Sequence, residues 1–497
     1  MDANIQKQDC GADFVEVAVQ VGQTIEGSEG RGEILILAAD FYAEADQNEL
    51  AASLAQTIDD SYQRELALSR IAVKLAGEGE EDQAESLLEM IDDDAAYGLA
   101  VEELAAAYAR NGEIDKAIAI AERLSDSAAA LCGIALACPS AVQVTDCIEV
   151  ARSIEYPELK ATTMVELAGK ASTLDDQTDF TELLQEALAA AEAIDFPQQR
   201  IEARVAIAKW FREHQQTEQA DEVLQKARAD CEEVERLGRD TALAQIAQAY
   251  AELHEFDRAN QLLEEIEDPF QFCHASRAVA LEEYRSGDEA AALKLLADGL
   301  EVIKDEAVYS QEALNVRETV CGNLAWTYAE IGHLEDALRV TELLASPEQL
   351  NAVLTRMAVT LAKNDDLSVV FRALDRIRDN SARVLCEIEL ARGWTSRNQP
   401  ALASHILGKA SVEVAAVERR YLRAICLAEL AQAYQLSEQT SRAAEVLLEA
   451  LKTAATINGG YDQARALLSL AVKHRELSRP TDEPELRILD DITGHLD

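Results

Sequence analysis

A chain of 497 residues with a formal net charge of −48 is too long for a single compact core, and too acidic to hold phosphate backbones with lysine and arginine. Hydrophobic residues make up 48% and aromatic residues only 5%, so alanine and leucine carry the apolar mass, which favours closely packed helices over β-rich folds. The acidic residues are spread along the whole chain. This distribution favours a solvated or salt-adapted surface over an acidic groove for a basic partner.

The N-terminal region predicts a capping element rather than a targeting signal. Residues 1–11 have neither the positive nor the apolar segment of a signal peptide, and no uninterrupted apolar run in the chain reaches about 18 residues. The apolar stretch 14–25 is followed by a glycine-rich run, so we expect a capping helix and linker over residues 1–31. We therefore expect a cytoplasmic protein.

Alanine recurs along the chain at repeat-like intervals. Seven of these intervals are 30 or 33 residues long, and five are 39–45 residues long. Such periods predict an all-α solenoid of about 13 antiparallel helix hairpins over residues 32–475, followed by a C-terminal cap or tail at 476–497. The longer intervals predict second helices extended by about two turns at 182–194, 220–237 and 291–304. The ladder alanines are Ala39, Ala72, Ala105, Ala135, Ala168, Ala208, Ala247, Ala280, Ala325, Ala358, Ala391, Ala431 and Ala471.

One unit, residues 239–269, shows the pattern most clearly. Two apolar stripes at helical spacing flank a polar turn at 252–256, so each stripe predicts one helix of a hairpin. Pro269 is expected to end the unit, because proline cannot continue a helix. The stripe residues are Leu243, Ile246, Ala247 and Tyr250 in the first helix and Ala259, Leu263 and Ile266 in the second.

These residues resemble the tetratricopeptide repeat (TPR). The same pattern returns around Ala105, Ala325 and Ala431, so the resemblance covers nearly the whole chain, although the tryptophan frequent in the family's first helix is missing from its usual place. The resemblance implies a right-handed α-α superhelix. It also implies that the first helices line a concave groove in which a peptide or protein binds.

Three groups of residues suggest chemistry, and each fits the repeat better. Cys132, Cys138 and Cys147 are too widely spaced for a zinc site, and two of them occupy packing positions of their unit. The Gly-Lys-Ala-Ser segments at 169–172 and 408–411 lack the earlier glycine and the hydroxyl residue of a phosphate-binding loop. The seven histidines are dispersed. We therefore expect no catalytic residues, no metal and no cofactor.

The family's groove-facing positions, carried onto this sequence, give mostly small residues and one group of cations. Facing the groove, these side chains would hold an acidic peptide or a C-terminal carboxylate through charge-assisted hydrogen bonds. The competing interpretation, which we favour, is that they pair with acids predicted on the same face, at Glu202, Glu213, Glu252 and Glu330. The candidate partner-binding residues are Lys209, Arg212, His274, Arg277, Tyr284, Arg285 and Arg392.

The sequence therefore predicts a non-catalytic interaction scaffold or adaptor. We expect a protein or peptide partner, and neither nucleic acid nor membrane. The alternative is a regulatory or structural subunit of an enzyme complex, followed by an enzyme with an unrecognised site. RNA binding by a related array of helical hairpins is disfavoured by the net charge.

Overall fold

The computed structural model describes residues 10–137, 140–174, 180–304, 311–362 and 367–496. Within these ranges the regular structure is α-helical, with a few short 3-10 turns. The helices form two compact units, one made of Met1–Ala100 with Leu354–Asp497 and the other of Val101–Val353. The predicted all-α solenoid is confirmed.

The helices alternate between first and second helices of consecutive hairpins. In chain order they are α1 Ala12–Gln23, α2 Ser28–Glu44, α3 Asn48–Gln56, α4 Ser61–Glu78, α5 Glu81–Leu88, α6 Asp94–Arg110, α7 Ile114–Ala121, α8 Ala128–Leu136, α9 Val144–Ser153, α10 Pro157–Leu174, α11 Thr181–Glu192, α12 Pro197–Glu213, α13 Thr217–Asp230, α14 Arg236–Glu252, α15 Phe256–Glu265, α16 Pro269–Ser286, α17 Glu289–Ile303, α18 Gln311–Glu330, α19 Leu334–Thr341, α20 Pro347–Leu361, α21 Leu367–Leu374, α22 Asn380–Ser396, α23 Pro400–Glu413, α24 Arg420–Leu436, α25 Thr440–Ala455, α26 Gly460–Glu476 and α27 Glu483–Thr493.

Every ladder alanine lies in a first helix, from α2 to α26, and none is more than 2% exposed. A larger side chain at these positions would push the packed helices apart. The five long intervals correspond to second helices of 12–16 residues, whereas the units with 30- or 33-residue intervals have second helices of 8–10 residues. One predicted bound was wrong, because α13 ends at Asp230 and not at residue 237. A 3-10 turn follows, and α14 begins at Arg236.

Pro269 begins a helix, contrary to the expectation that it ends a unit. It occupies the first turn of α16, where a missing N–H costs nothing. Asp268 is the N-cap, and its carboxylate accepts a hydrogen bond from the Gln271 N–H at 2.8 Å. The Asp268 N–H in turn donates to the carboxylate of Asp240 in the preceding first helix, at 2.7 Å.

Asp240 belongs to a set of buried acids that lie seven residues before a ladder alanine. Glu65 accepts from the Asp93 N–H at 3.1 Å, and Glu318 accepts from the N–H groups of Ala345 and Ser346 at 3.1 and 3.0 Å. Each acid therefore satisfies backbone donors just before the next first helix. All three occur in units with 33-residue intervals, whereas the five longer units have alanine, isoleucine, cysteine or valine at this position.

We expect Glu318→Ala to destabilise the protein by about 1–2 kcal/mol, because two part-buried backbone N–H groups lose their acceptor. The measurement is the urea midpoint of unfolding, followed by circular dichroism. Glu342→Ala, at the C-terminal end of α19, serves as a surface control in the same unit. An equal shift in both variants would contradict this role of Glu318.

A second set of side chains lies eight residues before a ladder alanine and binds the end of the preceding second helix. Each arginine of this set donates to a backbone carbonyl, which stabilises carbonyls left without an intrahelical partner. The pairs are Arg64 with Ile58 O at 3.0 Å, Arg200 with Ile194 O at 2.9 Å, Arg317 with Ile303 O at 2.8 Å, and Arg423 with Val417 O at 2.8 Å.

The two ends of the chain meet within one unit. Helix α1 packs along α26, and α2 also contacts α26. Ser28 begins α2, so a helix starts inside the segment expected to be a linker. The division of the chain at residues 31 and 475 stays a prediction.

Candidate interaction surface

Helix α16 presents a mixed basic and apolar face, here called the α16 face and consisting of His274, Arg277, Leu281, Tyr284 and Arg285. At 100° per residue these five positions span about 100° of the helix circumference. None of the five is buried, while the opposite side of α16 is buried from Cys273 to Glu283.

The charge state of the α16 face depends on His274. Partial desolvation of the imidazole by its neighbours, and then the positive charge of Arg277, lower the pKa of His274 below its ordinary value, although the residue itself is not buried. The imidazole is therefore neutral at physiological pH and offers one donor and one acceptor. The permanent positive charge of the face rests on its two arginines.

Arg285 and Tyr284 are the exposed end of the α16 face. The Arg285 side chain is 59% exposed, and it pairs with Glu282 on its own helix. Its other guanidinium nitrogen lies 3.9 Å from Glu330 of α18, which is the limit of an ion pair. Tyr284 is 37% exposed. Both side chains are more exposed than those of Arg212 and Arg392, which are 29% and 25% exposed.

Arg212 on α12 pairs with acids of the same face, as the competing interpretation predicts. It pairs with Glu213 at 3.0 Å and with Glu252 of α14 at 2.8 Å, so acids predicted on the same face neutralise it. Lys209, one turn earlier, is half-buried and has no ion-pair partner among the described residues.

Arg392 lies in the other compact unit, on α22, and belongs to a chain of ionic contacts between first helices. It pairs with Glu389, with Glu429 of α24, and with the amide oxygen of Gln432. Lys473 of α26 then pairs with Glu429 at 3.0 Å. Arg392 is thus engaged in inter-repeat packing, apart from the α16 face.

The structure also places two charged residues in the core that the sequence prediction missed. Arg204 and Glu387 lie four residues before a ladder alanine, where all but one of the other units have apolar residues such as Leu243. Arg204 pairs with buried Asp230 at the end of α13. Glu387 is fully buried and pairs with Lys409 of α23 at 2.9 Å. The sequence did contain a signal for these two residues, because a charged residue interrupts the apolar stripe of the first helix in two of the long units.

The carboxyl group of Glu387 has a strongly raised pKa. Burial raises the pKa of Glu387 to about 7, and the nearby Lys409 ammonium only partly offsets this effect. Lys409 also lies 3.7 Å from Glu413, which in turn binds Arg383 at 2.6 Å. The cluster holds α22 and α23 together, with Glu387 fully buried and Lys409, Glu413 and Arg383 partly exposed.

The motifs considered for chemistry lie within packed helices where they fall in the described residues. Cys147 is buried in α9 and Cys132 is half-buried in α8, while Cys138 lies outside the described residues. Lys170 donates to the Leu136 carbonyl from within α10. No group of three or more potential metal ligands occurs in the described part of the chain.

None of the described helices is long and apolar enough to cross a membrane. No family model and no curated protein sequence matches the chain. Several solved structures are similar in fold. Ton1535 from Thermococcus onnurineus NA1 is 15% identical with a TM-score of 0.23, and it covers 71% of this chain and 97% of its own. Human IFIT1, in a dimer with PPP-AAAA, is 14% identical with a TM-score of 0.30 and covers 89% and 95%.

The Cut9–Hcn1 hetero-tetramer of the APC/C contains a further similar chain, 13% identical with a TM-score of 0.20, covering 88% of this chain and 89% of its own. The fold itself is established by the helices described above. Small buried residues recur where paired helices pack, and first and second helices alternate along the described chain. The described residues form an all-α array of consecutive helix hairpins.

Proposed function

We propose that the protein is a non-catalytic scaffold, and that the α16 face binds a short acidic segment of a protein partner. The observation that carries the proposal is the accessible row of Arg277, Leu281, Tyr284 and Arg285 on one helix. Tyrosine and arginine are enriched among residues that dominate binding energy, since each combines apolar area with directional hydrogen bonds.

The surrounding charge supports a short ligand. With a net charge of −48, the chain repels extended polyanions, so nucleic acid is disfavoured. A peptide that carries one or two carboxylates at the α16 face gains charge-assisted hydrogen bonds from Arg277 and Arg285. Its neutral side chains would contact Leu281 and Tyr284. We also propose Lys209 as a peripheral cation. Arg212 and Arg392 are less suited, because each pairs closely with an acid of the next first helix, whereas Arg285 is 59% exposed and pairs closely only with Glu282 on its own helix. A cytoplasmic location remains part of this proposal.

The test is affinity capture with the full chain and quantitative mass spectrometry, compared with the variants Tyr284→Ala and Arg277→Glu/Arg285→Glu. We expect the retained partner to fall by about tenfold or more in each variant, which corresponds to about 1.4 kcal/mol or more. Peptides from that partner, with free and amidated C-termini, would then show which carboxylate binds.

Arg339→Glu is the matched control. Arg339 is an exposed arginine on the second helix α19 and pairs with Asp336 on its own helix. This variant changes the net charge in the same direction without touching the α16 face. The proposal fails if partners survive the α16 variants, or if the control loses them equally.

A further inference from the structure

The hairpin that contains the last ladder alanine is assembled from both ends of the chain. In the units with 30- or 33-residue intervals, a short loop connects the first helix to the second helix that packs along it. Helix α26 instead packs along α1, which comes from the N-terminal region. The next helix in sequence, α27, packs against α1 and α25. The inner face of α1 is fully buried there, through Phe14, Val15, Ala18 and Val21. We call the contact of α1 and α2 with α26 the joint.

The joint is sterically specific. Gly11, with φ +90°, caps α1 directly over the ladder residue Ala471, and a Cβ on Gly11 would lie 2.5 Å from the Ala471 carbonyl oxygen. Gly460 approaches the other end of α1, where a Cβ would lie 3.0 Å from the Thr24 hydroxyl. Glycine at both positions lets the backbones come together, as alanine does at the crossings elsewhere.

The polar contacts of the joint match those between consecutive units. Arg475 of α26 donates to the Phe41 carbonyl of α2 at 2.8 Å, stacks over the Phe41 ring at 4.5 Å and pairs with Glu44. Tyr461 of α26 donates to Glu33 of α2. The ionic chain through Glu429 and Lys473 links α24 to α26 in the same way. The joint therefore uses ordinary inter-repeat chemistry without a covalent connection.

We propose that the joint exchanges between copies of this chain. In the exchanged form, α1 and α2 of one chain dock on α26 of a second, and the reverse docking completes a dimer with two joints. Exchange creates no new type of contact, so the closed monomer is favoured only by the high effective concentration of its own chain ends. Refolding at high protein concentration shifts the balance towards the dimer.

A charge exchange tests this in the full chain. Arg475→Glu alone places two acids at the joint, and Glu44→Arg alone places two arginines there, so each variant weakens its own closed form. When the two variants are mixed, unfolded in urea and refolded together, both joints of an exchanged dimer carry opposite charges. Glu44 is 62% exposed and the Arg475 side chain is 17% exposed, and circular dichroism of each refolded variant checks that the helical fold is retained.

The expected result is a mixed dimer of twice the 54.3 kDa chain mass, seen by light scattering and by tandem capture of two different tags. Its yield should exceed that of either variant refolded alone by about tenfold, the effect of about 1.4 kcal/mol at the joints. The double variant Arg475→Glu/Glu44→Arg should be monomeric at the same concentration, because its own joint is restored. A mixture that stays monomeric would overturn the proposal. So would dimers that form equally well from each variant alone.

Discussion

Replacing Arg317 with methionine should lower the free energy of unfolding by about 3–5 kcal/mol, the largest effect we expect from a single substitution. Arg317 is 1% exposed, and its guanidinium donates to three backbone carbonyls. These are Ile303 O at 2.8 Å, Lys304 O at 3.2 Å and Leu343 O at 3.4 Å. Methionine nearly preserves the apolar packing, so the loss comes from one buried and two part-buried carbonyl acceptors that lose their donor.

Urea unfolding and hydrogen exchange together check this expectation. The urea midpoint should fall, and amides at the C-terminal end of α17 and the start of α18 should exchange faster than in the parent chain. The control is Arg339→Met, whose side chain is 73% exposed and pairs only along its own helix in the described contacts. It should change stability by less than about 0.5 kcal/mol. A loss below about 1 kcal/mol for Arg317→Met would contradict the role of this residue.

The free energy of unfolding of the Glu387→Gln variant should rise relative to that of the parent chain as pH increases. Burial raises the pKa of this carboxyl from 4.5 to about 7, so the folded state holds its proton more tightly than the unfolded state. The parent chain therefore loses stability as pH rises from about 4.5 to about 7, and glutamine removes this loss. Between pH 5 and pH 8 the advantage of Glu387→Gln should grow by about 2–3 kcal/mol.

The measurement is the difference in urea midpoint between variant and parent at each pH. Glu389→Gln is the matched control, two residues away on α22, with a side chain that is 53% exposed. Its difference from the parent at each pH is the baseline with which the Glu387→Gln difference is compared. A Glu387→Gln difference that is independent of pH would mean that the carboxyl titrates normally.

The sequence predicts the repeat architecture well, because one alanine per unit reports a backbone crossing that only a small side chain permits. The intervals between ladder alanines distinguish the long repeats from the short ones, and the second helices differ in length as expected. The joint was beyond reach of this reasoning. No spacing in the sequence indicates that Gly11 packs against Ala471, and only the folded chain brings the two residues together.

The candidate surface was predictable in part. The acids expected to neutralise the groove cations include Glu252 and Glu330, which do lie beside Arg212 and Arg285. Sequence spacing places a side chain on a helix face, but it does not fix which rotamer an arginine adopts. Arg285 therefore reaches mainly along its own helix and stays exposed, whereas Arg392 reaches the next first helix.

The arginines that bind the preceding helix end, such as Arg64 and Arg423, have a consequence for how such a chain changes over time. They contact backbone carbonyls, and every residue type supplies the same carbonyl. The outer sequence of a second helix can therefore drift while the junction that follows it stays intact. A duplicated unit carries its own arginine and needs no matching side chain in its new neighbour. The array can thus gain units by duplication without prior co-adaptation at these junctions.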